Sequence, residues 1–296
     1  RSADNLPVDL GAVINSRVPL PSGLQKLTGN FRMNELLSGF TSQLYGSDYV
    51  PSSLSKNKSG RWKVNLSEMG ALNALLPQLS GLLEGKDKTF RLLPELISIK
   101  LVPCTTTSTT TSNSSQSSAP SLVSLSSAAV MMMDTSSEVE TEADFIASLI
   151  MALVGSAHNT SDLSPVAQIF ACTPHKRQRN AVYKSLIKHG LHGCSGMVDT
   201  VERIQGQERD IVVICLGYFG TDTVTKEIDF IYSKERLNVA FSRAKKTCIV
   251  VYTDAITALN PDVIATPEAN AAYTHLTSFI SASRKLIKPV NMLNYE

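Results

Sequence analysis

The chain has 296 residues, 43% of them hydrophobic and only 18% charged, against about 25% charged in typical globular domains. That composition supports a buried core of one or two domains and excludes wholesale disorder. With a net charge of +2, bulk charge gives no argument for a polyanionic partner, and only a local basic patch could supply one.

In chain order, residues 1–103 mix apolar runs with turn residues. Within them, Asn30-Phe-Arg-Met-Asn-Glu35 runs into a predicted helix carrying Leu36, Leu37, Phe40 and Leu44. From Thr105 to Ser127, 16 of 23 residues are Ser or Thr and none is charged. Such a tract cannot offset its own ordering entropy, so 104–137 reads as a flexible insertion between 1–103 and 138–296. From about Glu138 the pattern becomes regular. Phe145, Ile146, Leu149, Ile150, Leu153 and Val154 form a helical stripe over Glu138–Val154, and Val166–Cys172 is a short apolar strand ended by Thr173-Pro174. Lys176–His189 is helical and stops at Gly190. Ile211–Leu216 and Cys248–Tyr252 are continuous apolar runs, as strands buried on both faces require. A helix is predicted over Leu237–Lys246. Another follows Pro267 over Glu268–Ser283, with Ala272, Leu276, Phe279 and Ile280 on one face. Helices alternating with buried strands predict an α/β fold, a parallel sheet covered on both sides, with ligands at the carboxyl ends of the strands.

The five cysteines, Cys104, Cys172, Cys194, Cys215 and Cys248, lie at least 21 residues apart and form no CxxC pair. Neither a zinc site nor a disulfide framework is expected, and the pattern suits a reducing interior. The most apolar window, Phe145–Val154, is half the length of a membrane span, and the sequence opens without a signal peptide. The expectation is a soluble intracellular protein, nuclear or cytoplasmic, with no membrane partner. The chain begins Arg1-Ser2-Ala3 rather than with Met, which suits a fragment or a processed product.

Four segments carry chemistry. In Val198–Asp210, two amides and a carboxylate (Gln205, Gln207, Glu208) surround Gly206 just before a buried strand. That set suits a ribose or a phosphodiester, although a solvated turn is the plainer reading. In Lys234–Lys246, Leu237, Ala240, Phe241 and Ala244 form a buried stripe. Asn238, Ser242 and Lys245 follow on a neighbouring face, and Arg243 could meet a phosphate or serve as an ordinary surface cation. Thr173–Arg179 opens a helix after a strand, and five Lys or Arg lie between His175 and His189 with no acid. Phe31 beside Arg32 could sandwich a base and reach a phosphate, or merely pack.

Taken in order, Phe31-Arg32-Met33, Thr173–Gln178, Val198–Asp210 and Arg236–Ala244 resemble the motifs of superfamily 1 DNA/RNA helicases. The branch is the one that includes the nonsense-mediated-decay and Okazaki-fragment helicases. The resemblance covers about residues 24–50 and 140–255, the second RecA-like domain, which has a P-loop NTPase fold without the phosphate loop. It implies that Arg243 is an arginine finger on the γ-phosphate of ATP and that Arg32 is a second phosphate contact. It implies further that Phe31 lies near the adenine and that Gln205, Gly206 and Glu208 contact the nucleotide. Thr173, Pro174, Thr200 and Asn238 would touch single-stranded DNA or RNA. His175 stands for a common aromatic and Ser242 for a common Thr.

A complete enzyme of this kind needs G-x-x-x-x-G-K-[ST] to hold ATP and Mg2+, and the sequence has no match. Gly81–Asp87 is one residue short, with Asp87 in place of the metal-binding hydroxyl. Ala129–Asp134 mimics an apolar strand ending in Asp but lies on the wrong side of Phe31-Arg32. Asp4–Pro7 is a degraded trace of the family's G-D-x-x-Q-L-P segment. The reading is the carboxyl-terminal half of an ATP-dependent helicase, inactive alone. Its partner would be the first RecA-like domain of its own parent, which would hold the Mg2+ ligands. No metal site is expected in this chain. The alternative is a non-catalytic nucleic-acid-binding or regulatory module.

Overall fold

The computed structural model describes residues 29–30, 32–45, 50–51, 61–66, 81–102, 126–155, 164–216, 221–259, 264, 266–285 and 290–291. Phe31, Asp4–Pro7, Cys104 and most of the Ser/Thr tract lie outside the described residues. The strands are β1 (Gly29–Asn30), β2 (Val50–Pro51), β3 (Lys63–Asn65), β4 (Phe90–Leu92), β5 (Leu96–Val102), β6 (Ile169–Thr173), β7 (Val198–Thr200), β8 (Arg209–Cys215), β9 (Ala244–Thr253), β10 (Arg284–Lys285) and β11 (Val290–Asn291). The helices are α1 (Glu35–Tyr45), α2 (Ser126–Gly155), α3 (Pro165–Gln168), α4 (Lys176–Lys188), α5 (Thr221–Lys226), α6 (Ile228–Ile231), α7 (Lys234–Phe241), α8 (Asp254–Thr257) and α9 (Pro267–Ala282).

One parallel sheet organises the molecule, in the order β10-β5-β9-β8-β6-β7 with β11 also on β5. Its central strands are buried on both faces, which explains their unbroken Val/Ile/Cys composition. Alternation along the strands divides the core in two. Ile97, Ile99, Ala171, Ile211, Val213, Ile249 and Val251 meet the stripe of α2 and Val182 and Leu186 of α4. Phe170, Cys172, Val212, Ile214, Cys248 and Val250 face α1, α7 and α9. This is a RecA-like α/β architecture, with helices on both faces of a parallel sheet.

Local sequence fixes the helix ends. The Ser233 hydroxyl accepts from Arg236 N to cap α7, and Thr266 accepts from Ala269 N to cap α9, with Pro267 in its first turn. Gly190, at φ +87°, follows the end of α4. Between α2 and α4, Gln178 Nε2 donates to Glu142 Oε2 at 2.8 Å, and both side chains are buried.

Several predicted elements need correction. The helix expected over Leu237–Lys246 ends at Phe241, and β9 begins at Ala244. Ala244 continues the i, i+3, i+4, i+7 spacing and is fully buried, but it enters the core from a strand. The strand expected from Val166 starts at Ile169, because Pro165–Gln168 forms a single helical turn. Helix α2 starts at Ser126, inside the stretch read as insertion, so Ala129–Asp134 is helical backbone and not a strand. On α1, Leu36 is 53% exposed, while Leu37 and Phe40 are buried. Within Gly81–Asp87, Gly81 and Leu82 form a turn and Glu84 makes an antiparallel bridge to Leu92. Gly85 has φ +116°, and the Asp87 carboxylate accepts from the backbone N–H of Thr89 and Phe90.

Candidate functional site

The site residues divide between opposite edges of the sheet, whereas the sequence pattern predicts ligands at the carboxyl ends of the strands. Thr173 and Thr200 end β6 and β7 in register at the carboxyl edge. The chain then turns back through Val201–Glu208, with Ile204 buried in the second core and Gly206 at φ +86°, a backbone conformation that glycine adopts without strain. It re-enters the sheet at Arg209, on the amino edge beside Ala244, where Arg209 N–H donates to Arg243 O at 3.0 Å.

Three cations converge at that amino edge. Arg32 Nε lies 2.6 Å from Glu208 Oε2, and Arg32 Nη1 donates to Ser242 O at 3.1 Å. Lys245 Nζ holds the other carboxylate oxygen, Oε1, at 3.0 Å. Arg243 donates through Nε to Val239 O (3.0 Å), through Nη1 to Gln207 O (3.3 Å) and through Nη2 to Ser242 Oγ (2.9 Å). Asn34 ties α1 to this edge, donating from its backbone N–H to Lys245 O at 3.1 Å and from Nδ2 to Lys246 O at 2.8 Å. Partial burial pushes the Glu208 carboxyl up, but hydrogen bonds and charge from Lys245 and Arg32 more than offset it. Glu208 therefore ionises below the ordinary carboxylate range. A cleft of about 630 Å³, lined by Asn34, Glu35, Leu36, Phe40, Gln43 and Leu96 among others, opens beside these segments. That volume is in the range of small-molecule sites.

Arg32, Glu208 and Arg243, predicted from three distant segments, thus share one cluster. Gln205 and Gly206 sit exposed on the turn that leads into it. Lys245, read from the sequence as part of a helix face, belongs to the cluster from a strand. Asn238 is half-buried midway along α7.

The carboxyl edge holds a second constellation. Thr173 is fully buried, with its hydroxyl directed at the carbonyls of His175 and Asp199, and Thr200 is 6% exposed. Pro174 is half-buried beside them, and α4 begins with exposed Lys176 and Arg177. The His175 ring stacks on Phe230 at 4.5 Å and 11°, and the Arg236 guanidinium covers Phe230 at 3.7 Å. His175 Nε2 pairs with Glu227 Oε2 at 2.6 Å, and Arg236 Nε with Glu202 Oε1 at 3.1 Å. Phe230 and Glu227 carried no signal in the sequence, because the partner they share, His175, lies more than fifty residues away.

Among the described residues, no group of three His, Cys, Asp or Glu side chains could hold a metal ion. No helix among them is long and apolar enough to cross a membrane.

Comparison with known proteins agrees with the motif resemblance. A family model described as an AAA domain matches residues 15–254. Over 126 residues the chain is 25% identical to an uncharacterized ATP-dependent helicase of Caenorhabditis elegans. That alignment covers 43% of this chain and 7% of the relative, so the chain spans a small part of that protein's length. The chain belongs to the AAA domain family, in its superfamily 1 helicase-like form.

Proposed function

We propose that the chain supplies the second RecA-like half of an ATP-dependent helicase or translocase. The observation that carries this reading is the convergence of Arg32, Arg243 and Lys245 at the amino edge, from segments some two hundred residues apart. Arg243 is the arginine finger and Arg32 the second phosphate contact, both facing a triphosphate held by another RecA-like domain. Two guanidiniums suit phosphate oxygens because each presents planar, always-charged donors. Phe31 and the Gln205-Gly206-Glu208 turn border the nucleoside. Thr173, Pro174, Thr200 and Asn238 belong to a track for single-stranded DNA or RNA.

The donor set fits a polyphosphate and does not fit its metal. The Glu208 carboxylate is engaged by Arg32 and Lys245, and Mg2+ requires oxygen ligands. The Mg2+ ligands are therefore assigned to the phosphate-loop domain. What this chain does is orient cations. Ser242, Val239 and Gln207 hold the Arg243 fork, while Glu208 holds Arg32 and Lys245 beside it. Spread charge on a transferring phosphoryl group would then meet preorganised donors.

The test is steady-state ATP hydrolysis by the purified 296-residue chain with and without single-stranded oligonucleotide. The proposal expects no stimulated turnover without a phosphate-loop domain. Stimulated turnover by the chain alone, lost on Arg243→Ala, would overturn the division of labour.

A further inference from the structure

Phe230 is held unlike an ordinary packing aromatic. It sits on α6, anchored by buried Ile228 and Ile231, while its own ring is half-buried. The Arg236 guanidinium lies over the ring at 3.7 Å from its centroid, and the His175 imidazole stacks on it, nearly parallel, at 4.5 Å. Both partners are flat, nitrogen-bearing groups rather than the aliphatic side chains of a core. Arg236 is held by an ion pair with Glu202. The His175 side chain is 39% exposed and paired with Glu227, itself 37% exposed. A pair that exposed holds weakly and can open without disturbing the sheet.

The surroundings suit a strand of nucleic acid. Thr173 and Pro174 lead directly into His175, and the turn bearing Glu202 follows Thr200. Exposed Lys176 and Arg177 begin the next helix, within reach of a backbone running past the stack. An aromatic face next to a line of cations is how proteins hold single strands without reading sequence.

We propose that Phe230, with Arg236 against its ring, is a nucleobase-stacking platform, and that His175 occupies the place of the base until a strand arrives. The proposal deepens the nucleic-acid track proposed above and rests on it. When a strand binds, His175 leaves the ring face and one base takes its position, while Lys176 and Arg177 meet the flanking phosphates. Any base has a π face, so the site discriminates base from no base rather than one base from another.

The test uses the full chain and fluorescence anisotropy with a labelled oligothymidylate of roughly a dozen nucleotides, a typical single-strand site size. Its partner probe is an abasic oligonucleotide of the same length. Wild type should prefer the base-bearing probe by on the order of 10-fold, the usual contribution of one stacked base. Phe230→Leu, which keeps apolar bulk on α6, should lose that preference yet bind the abasic probe as wild type does. Phe230→Trp should retain it. With 2-aminopurine in the probe, quenching on binding should be present in wild type and absent in Phe230→Leu, a signal that a merely structural ring would not produce. His175→Ala should keep the preference, and its loss there would move the platform to His175 and overturn the assignment. Equal binding of both probes by wild type, with the ordinary salt dependence of backbone contacts, would overturn this inference and leave the track standing. No binding of either probe at low salt would overturn the track and the platform together.

Discussion

His275 sits where the two arginine-bearing segments are held together, and its titration gives a sharp prediction. It lies on α9, 6% exposed, stacked on Phe40 of α1 at 4.1 Å and edge-on to Phe241 of α7 at 5.7 Å. Phe279 completes the box, 5.0 Å from Phe40 and 4.8 Å from Phe241. Among the described residues, nothing pairs with Nε2. Burial, with a smaller repulsion from Lys234, lowers its pKa from 6.5 to about 4. The folded state therefore prefers neutral imidazole, and the unfolded chain takes up the proton first. Stability from this group is complete above about pH 6.5 and falls as pH drops toward about 4, by about 1.4 kcal/mol per pH unit and about 3 kcal/mol in all. Urea denaturation of wild type and His275→Phe between about pH 7.5 and pH 4.5 measures it. The variant removes the titrating group, while carboxylate protonation is common to both proteins. Wild type should lose stability relative to the variant across that window. Parallel pH profiles would refute the reasoning.

Other perturbations have equally definite outcomes. Gln178→Ala leaves the buried Glu142 carboxylate without its amide donor and should cost about 1–3 kcal/mol in denaturant unfolding, whereas Glu142→Gln should cost less. Phe145→Ala, in the α2 stripe, should lower stability by about 3–5 kcal/mol with no specific effect on ligand binding. Glu208→Gln removes two ion pairs whose partners are about a third exposed, so the loss in global stability should stay near or below about 1 kcal/mol. The same variant should release Arg32 and Lys245 and alter nucleotide affinity, a split visible when unfolding and nucleotide titration are run side by side.

The central strands were readable because Ile211–Leu216 and Cys248–Tyr252 must be apolar on both faces. Their amino ends were not. Arg209, Asp210, Lys245 and Lys246 look like helix or loop residues, yet they extend β8 and β9 by pairing across the edge, as Lys246 does with Asp210 at 2.8 Å. β5 escaped notice because Ser98 and Lys100 interrupt its apolar run, although it pairs with β9 along its length. The motif residues Arg32, Glu208 and Arg243 were recognised through family spacing, but no local pattern announces that they meet, because contacts across 176 residues are set by topology. The same limit hid Phe230 beside His175. The division of the motifs between two edges was also invisible, since it depends on the direction in which Val201–Glu208 crosses the sheet.

The central claim is that Arg243 acts on a phosphoryl group bound by another domain. It is tested most directly by nucleic-acid-stimulated ATP hydrolysis in a polypeptide that joins this chain to its phosphate-loop domain, comparing wild type with Arg243→Ala. The account predicts a fall in kcat of about 10³–10⁵, with KM little changed. An unchanged kcat would contradict it.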